Sequence, residues 1–244
     1  MVGVFSQERK TSSAAGRLRG YTTYAIGEIT LIVIGILIAL QLDAAQQAKS
    51  ERALEQKYIK ALIDDLQFDV ERSAVWFDNF EAKVSGLQAA KNFFFDGVVP
   101  QDVDAFLASV GIGGKASRGR LVTDTSTFRD LISTGSLRYL RDDGIKAAIL
   151  NFYDRKDFVV YYAANIRTEY ANYTNAVLPY DPGGVLVRDP RDIQQALSQF
   201  RKPEFLALIN QELTFAYSVN RVMSNHRANA IELAEKLEAY LVSG

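Results

Sequence analysis

Few side chains in this sequence have the types and spacing that catalysis or metal binding requires. The 244 residues contain no cysteine, which excludes disulfides, thiolate catalysis and cysteine-based metal sites. The single histidine, His226, has Val222, Met223, Asn229 and Ala230 at helical spacing, and none of these completes a metal or base site. We expect an ordinary helix-surface or hydrogen-bonded histidine. With no nucleophile-elbow motif either, we predict that the protein is not an enzyme and binds no metal or cofactor.

The glycine-rich stretch GIGGKASRGR, residues 111–120, is the one place that suggests phosphate binding. The Walker pattern requires a glycine five residues before the glycine of its Gly-Lys pair and a serine or threonine after the lysine. Ser109 and Ala116 occupy those two positions, so the pattern is not met. We expect a flexible linker, with contact to an acidic partner or lipid head groups as the alternative. The basic residues available for that contact are Lys115, Arg118 and Arg120.

Two pairs of adjacent aspartates could also suggest chemistry, but their positions favour structural roles. Asp64 and Asp65 fall within a long helical pattern, where a solvated helix face explains them. Asp142 and Asp143 precede another helical pattern, where a carboxylate is expected to cap the first turn. No EF-hand spacing is present.

Glu28 is the most unusual charged residue because it lies inside an apolar run. Residues 21–42, YTTYAIGEITLIVIGILIALQL, contain no other side chain charged at neutral pH. A helix of that length spans roughly 33 Å, close to the ~30 Å hydrocarbon thickness of a bilayer. A cleaved signal peptide is a weaker alternative because Asp43 stands where small neutral residues are needed. A buried core helix rarely lacks a polar face for so long. We predict an uncleaved transmembrane helix without a histidine to ligate haem.

Glu28 shares one side of this helix with small residues. At 100° per residue that side holds Tyr24, Glu28, Gly35, Ala39 and Leu42. Gly35 and Ala39 form a small-xxx-small pair, which lets another backbone approach closely. We predict that this docking face contacts a neighbouring transmembrane helix. The alternative is that Glu28 snorkels to the interface or pairs with Arg17 or Arg19.

Charge asymmetry around the apolar run predicts the orientation. Residues 1–21 carry Arg9, Lys10, Arg17 and Arg19 against Glu8 alone. The net charge of this stretch is +3, so the remainder carries −4 of the overall −1. The positive-inside rule then predicts a cytoplasmic tail at 1–20, a transmembrane helix at 21–42 and an extracytoplasmic domain at 43–244. In a Gram-negative bacterium the location is the inner membrane, with the main domain in the periplasm.

The domain beyond the membrane has a helical pattern. One helix should continue from the membrane to about Phe94, followed by short helices at 101–110 and 125–134. Further helices are expected from Asp142 to Val177, at 193–200, and from Pro203 to the C-terminus. Only GRLVTD (119–124) and GVLVRD (184–189) could be strands, and they could pair. The fold class is therefore all-α, an up-and-down helical bundle behind a single membrane helix.

Two segments resemble a known family. YAIGEITLIVIGILIALQ, residues 24–41, resembles the opening of a widespread, uncharacterised bacterial family of single-pass membrane proteins. FRDLISTGSLRYLRDDGIKAAILNFY, residues 128–153, is similar to the same family's mid-chain block, with Thr134 where a serine is usual. The Asn-Asn-Trp that usually follows the glutamine is replaced here by LDAAQQ. The resemblance implies a membrane anchor plus a helical extracytoplasmic domain, without an established activity.

These features predict a non-catalytic accessory subunit that docks to an integral membrane protein complex in the lipid bilayer. A photosynthetic reaction-centre or antenna assembly, or a respiratory one, is the first expectation for that complex. The near balance of 28 basic and 29 acidic residues does not favour nucleic acid as a partner, and no small-molecule substrate is indicated. The alternative function is a periplasmic sensory or ligand-binding module that signals through a partner.

Overall fold

The computed structural model describes residues 14–115, 123–165, 168–179 and 188–243. Side chains are described from residue 24 onward within these ranges, except at 25, 164 and 165. The described part of the chain contains α-helices and one 3₁₀ turn, and no strand. The helices are α1 (Ala14–Asp96), α2 (Val103–Gly113), α3 (Ser126–Ser133), α4 (Asp143–Asn165), α5 (Tyr170–Val177), α6 (Pro190–Gln199) and α7 (Pro203–Ser243), and the 3₁₀ turn is Ser136–Tyr139. The all-α prediction is confirmed for these ranges, whereas both predicted strands lie almost entirely outside them.

The chain divides into two compact units, residues 1–54 and residues 55–244. In the first unit, α1 contains one stretch long and apolar enough to cross a membrane, with a mean hydropathy of 2.0 over eighteen residues. None of that stretch is buried within the chain. A soluble protein would have to cover so many apolar side chains, and this helix therefore qualifies as the predicted membrane span.

Helix ends in the second unit follow local sequence signals. Asp142 precedes α4 and its Oδ1 accepts a hydrogen bond from the Ile145 amide at 2.8 Å, which confirms the predicted cap. Asp189 caps α6 in the same manner, accepting from the Arg191 amide at 2.8 Å. Gly97 follows α1 with a φ of +64°, a conformation that glycine adopts without steric cost.

One predicted helix is wrong in its continuity, although its two ends agree with the structure to within one residue. The helix expected to run from Asp142 to Val177 ends at Asn165, and α5 begins at Tyr170. Thr168, which precedes α5, donates to Glu212, and the hydroxyl of Tyr170, the first residue of α5, donates to the Val110 carbonyl. Periodic spacing alone cannot reveal a break that distant partners impose.

Three apolar clusters form the interior of the second unit. The first joins α1, α3, α4 and α7 around Leu62, Leu131, Ile149 and Leu237. The second joins α1, α2, α5, α6 and α7, and the third lies around Val219 and Met223. Along α1 the clusters occur in the order first, third, second, and along α7 in the reverse order. Helices α1 and α7 are therefore antiparallel.

Candidate functional site

The predicted docking face lies on a fully exposed part of α1. Tyr24, Glu28, Ala39 and Leu42 are exposed, and a Cβ built on Gly35 would meet no atom within 4 Å. The apolar residues around them are equally exposed. The structure thus brings the five residues onto one helical surface, while the partner of that surface stays a prediction.

The apolar stretch of α1 is helical throughout, so its backbone polar groups bond within the helix, as a bilayer would require. The Thr30 hydroxyl donates to the Ile26 carbonyl at 2.8 Å, so this side chain needs no external partner. Glu28 differs because an ionised carboxylate only accepts hydrogen bonds, and the N–H groups inside its own helix already bond to backbone carbonyls. An ionised group at this depth is stabilised by a protein or water environment, which is the physical basis of the docking prediction.

The predicted basic contacts are only partly within the described residues. Arg118 and Arg120 lie outside them, and so do the side chains of Arg17 and Arg19. Lys115 is exposed, and its backbone carbonyl accepts a hydrogen bond from the Lys83 ammonium at 2.9 Å. The Lys115 side chain is therefore available for a surface contact while its backbone is held.

Buried charge in the second unit concentrates first around Asp69 of α1. The Lys156 ammonium of α4 lies 2.6 Å from Asp69 Oδ2 and also donates to the Asp124 carbonyl. Asp69 Oδ1 accepts from the Asp124 amide at 3.0 Å. One buried ion pair therefore satisfies both backbone groups of Asp124, two residues before α3 begins.

His226 of α7 lies beside this pair, which corrects the surface alternative for that residue. Only 4% of His226 is exposed, and its ring stacks on Phe152 at 5.3 Å between centroids. Its Nε2 is 3.6 Å from Asp69 Oδ2 and makes no hydrogen bond within the described part of the chain. Tyr153 Oη is buried in the same region without a hydrogen bond among these residues.

The prediction that Asp65 lies on a solvated helix face is also wrong. Asp64 is exposed as expected, but Asp65 is buried and accepts from the Thr127 amide at 3.2 Å. The Thr125 side chain does not cap α3; Asp124 Oδ1 accepts from the Ser126 amide instead. A carboxylate accepts amide hydrogen bonds more strongly than a hydroxyl does.

A second buried cluster surrounds Glu212 of α7. Lys83 of α1 forms an ion pair with Glu212 Oε1, and the Thr168 hydroxyl donates to Glu212 Oε2. Both charged side chains are almost completely buried. Because each carboxylate oxygen has a donor, this cluster avoids the cost of an unpaired charge.

Burial changes the acid–base behaviour of several of these groups. Burial raises the pKa of Asp65, and the hydrogen bond from Thr127 partly opposes that change. Burial lowers the pKa of the Lys83 ammonium, with Glu212 acting in the opposite direction. Burial also raises the pKa of Tyr153, helped by the nearby Asp65 and Asp69, so its phenol stays neutral.

These clusters suit a structural role better than a chemical one. A general acid or base must reach a substrate, but the Asp69 and Glu212 clusters lie beneath helices and hold backbone groups of their own chain. No group of three or more potential metal ligands occurs among the described residues. Lys156 already occupies the position at Asp69 that a cation would take.

The burial of these charged residues was not predicted from the sequence. Glu55, Asp69, Lys83, Lys156 and Glu212 are polar, so apolar periodicity gave them no weight. One signal was available: Glu55, Asp69 and Lys83 are separated by multiples of seven residues, in register with the apolar Leu62. Charges repeated at core positions of a long helix indicate buried partners.

This chain matches no protein-family model, no curated protein and no solved structure. The resemblance of residues 24–41 and 128–153 to a bacterial single-pass family therefore stays a prediction.

Proposed function

We propose that this protein is a non-catalytic, membrane-anchored accessory subunit of a larger membrane protein complex. Its α1 segment at 21–42 spans the bacterial inner membrane and docks through Tyr24, Glu28, Gly35, Ala39 and Leu42. The second unit forms an up-and-down helical bundle in the periplasm, where it braces the partner complex. A photosynthetic or respiratory assembly is the proposed kind of complex.

The observation that carries the proposal is the uncovered apolar stretch of α1 with Glu28 inside it. An 18-residue window of mean hydropathy 2.0 has no burial within the chain, so lipid or another protein must cover it. Lipid can cover the isoleucines and leucines, but facing lipid would cost an ionised Glu28 several kcal/mol. A neighbouring transmembrane helix that donates hydrogen bonds to Glu28 would remove that cost.

The buried charges of the second unit agree with a bracing role. Their polar atoms hold the protein's own backbone, and a rigid domain is well suited to support another protein. Grooves occur between α4 and α7, with a volume of about 220 Å³, and between α1 and α7, with about 290 Å³. Both are smaller than typical ligand pockets of roughly 300–1,000 Å³. Neither of these two grooves, which are lined by described residues, favours the sensory alternative.

The docking face can be tested by copurification. We expect the Glu28→Leu and Gly35→Leu variants, each expressed in the native membrane, to lose most of the partner recovered by gentle solubilisation. The leucine at position 35 would fill the space that close helix approach needs, and the leucine at 28 would remove the hydrogen-bond acceptor. Recovery is quantified by mass spectrometry relative to the unmodified chain.

Val33→Leu is the matched control because it enlarges a side chain on the opposite side of the same helix. It should copurify the partner at unchanged yield. If both docking-face variants also retain full recovery, the proposed face is wrong. If the unmodified chain is recovered alone with a bound small molecule, the sensory alternative replaces the accessory-subunit function.

A further inference from the structure

A stripe of polar side chains follows one side of α1 inside the second unit. Its members are Glu55, Tyr58, Asp65, Asp69 and Lys83, and we call them the polar stripe. Glu55, Asp69 and Lys83 differ by multiples of seven in number, as do Tyr58 and Asp65. Seven residues are about two helical turns, so all five lie along one side of the helix. Glu55 and Lys83 are 0% and 2% exposed.

Each member of the polar stripe contacts the chain that connects α2 to α4. The Lys83 ammonium donates to the Lys115 carbonyl at 2.9 Å. Asp69 and Asp65 accept from the amides of Asp124 and Thr127 at 3.0 and 3.2 Å.

The stripe continues toward the start of α4. The Tyr58 hydroxyl donates to Asp130 Oδ2 at 2.8 Å and lies 3.3 Å from Ser136 Oγ. Glu55 Oε1 accepts from the Arg141 amide at 2.9 Å and from the Tyr240 hydroxyl at 2.6 Å. Residue numbers thus fall along α1 as they rise along the connection from α2 to α4, so the five contacts are in strict reverse order. Four of the five stripe members bond backbone groups of the connection, and Tyr58 bonds side chains.

We propose that the polar stripe is a register lock that fixes the connection between Lys115 and Arg141 at one position along α1. Apolar packing defines a register less sharply than paired polar groups do, because cores accept many hydrophobic residues of similar volume. In the series of positions seven residues apart that begins at Glu55, Leu62 and Trp76 stand between the polar members Glu55, Asp69 and Lys83. A shift of seven residues would place Leu62 or Trp76 opposite the Asp124 amide, leaving that buried donor without an acceptor.

Two ion pairs offset the free-energy cost of burying the charged members of the polar stripe. Lys156 neutralises Asp69 from α4, and Glu212 neutralises Lys83 from α7. Replacing such pairs with apolar residues is often neutral for stability. The presence of the pairs here therefore fits a role in selecting one path of the chain rather than in adding stability. The lock depends only on contacts within residues 55–244 and is independent of how the membrane helix docks.

Hydrogen exchange on the full-length protein in detergent micelles tests the lock at separate positions. We expect Asp65→Ala to accelerate exchange of the Thr127 amide by about tenfold or more, because the amide loses its acceptor. Asp65→Asn, the matched control, keeps an acceptor oxygen and should change the rate by less than about threefold. Peptides covering 103–115 should be unchanged in both variants.

The other end is tested with the charge-neutral pair Lys83→Met and Glu212→Gln, in which the glutamine still accepts from Thr168. This variant should accelerate exchange in peptides ending at Lys115 by about tenfold and leave 123–131 unchanged. It also provides the test if Asp65→Ala fails to fold. Unchanged exchange at Thr127 in folded Asp65→Ala, or equal acceleration at both ends in every variant, would overturn the register lock.

Discussion

At the scale of single residues, the buried charges with defined partners lie inside the helical domain rather than in an accessible site. Asp69 is 5% exposed and is shared by Lys156, His226 and the Asp124 backbone. Because Asp69 is buried, the presence of its partners is energetically important. A buried charge with a partner costs little, whereas a buried charge without one costs several kcal/mol.

A mutant cycle on this ion pair measures that asymmetry. We expect Lys156→Met to destabilise the protein by roughly 3–5 kcal/mol, because Asp69 would then be buried without its cation. The double variant Lys156→Met with Asp69→Leu should lose less than that single variant. Denaturant unfolding followed by circular dichroism gives both free energies of unfolding.

An exposed ion pair serves as the control for this cycle. Lys146 contacts the exposed Asp143 at 3.0 Å on the first turn of α4. Lys146→Met should change the free energy of unfolding by less than about 1 kcal/mol. If Lys156→Met has an equally small effect, the Asp69 pair is not buried as described.

At the scale of elements, two close helix approaches depend on residues that lack a side chain. Gly86 of α1 lies against α2, where an added Cβ would be 1.9 Å from the Ser109 carbonyl oxygen. Gly113, the last residue of α2, lies close to Leu87 and the Tyr170 hydroxyl. The end of α3 depends instead on Gly135, whose φ of +67° is strained for any other residue.

Gly86→Ala tests the packing of α1 on α2. The methyl group must push the Ser109 backbone away, so we expect a loss of about 1–3 kcal/mol in the free energy of unfolding. Ser85→Ala changes the exposed neighbouring position and should have almost no effect. An unaltered thermal midpoint for Gly86→Ala would contradict the described α1–α2 contact.

At the scale of the whole molecule, the chain combines an apolar N-terminal stretch with a domain that has its own three apolar clusters. The two units differ in how far their apolar side chains are buried within the chain. Apolar side chains at 26–42 are exposed, whereas the second unit buries apolar side chains in clusters of its own. This difference is what a membrane anchor followed by a water-exposed domain requires.

Cysteine labelling tests the predicted orientation, since the natural chain has no cysteine to interfere. Ser224→Cys, on the exposed side of α7, should react with a membrane-impermeant maleimide from the periplasmic side. Ser6→Cys, in the basic tail, should react only after the inner membrane is permeabilised. The opposite pattern would invert the topology, and labelling of both sites from outside would exclude a membrane span.

Local signals in the sequence were enough to place most of the described helices and the apolar stretch that is long enough to cross a membrane. The period of apolar residues located α1 and α7, Asp142 marked the start of α4, and Gly97 marked the end of α1, because these features act within a few residues. The break between α4 and α5, the burial of Asp65 and His226, and the partners of Asp69 and Lys83 were decided only by tertiary structure. These depend on groups tens of residues apart, and the cost or benefit of burying a charge is set by a partner that no local pattern identifies.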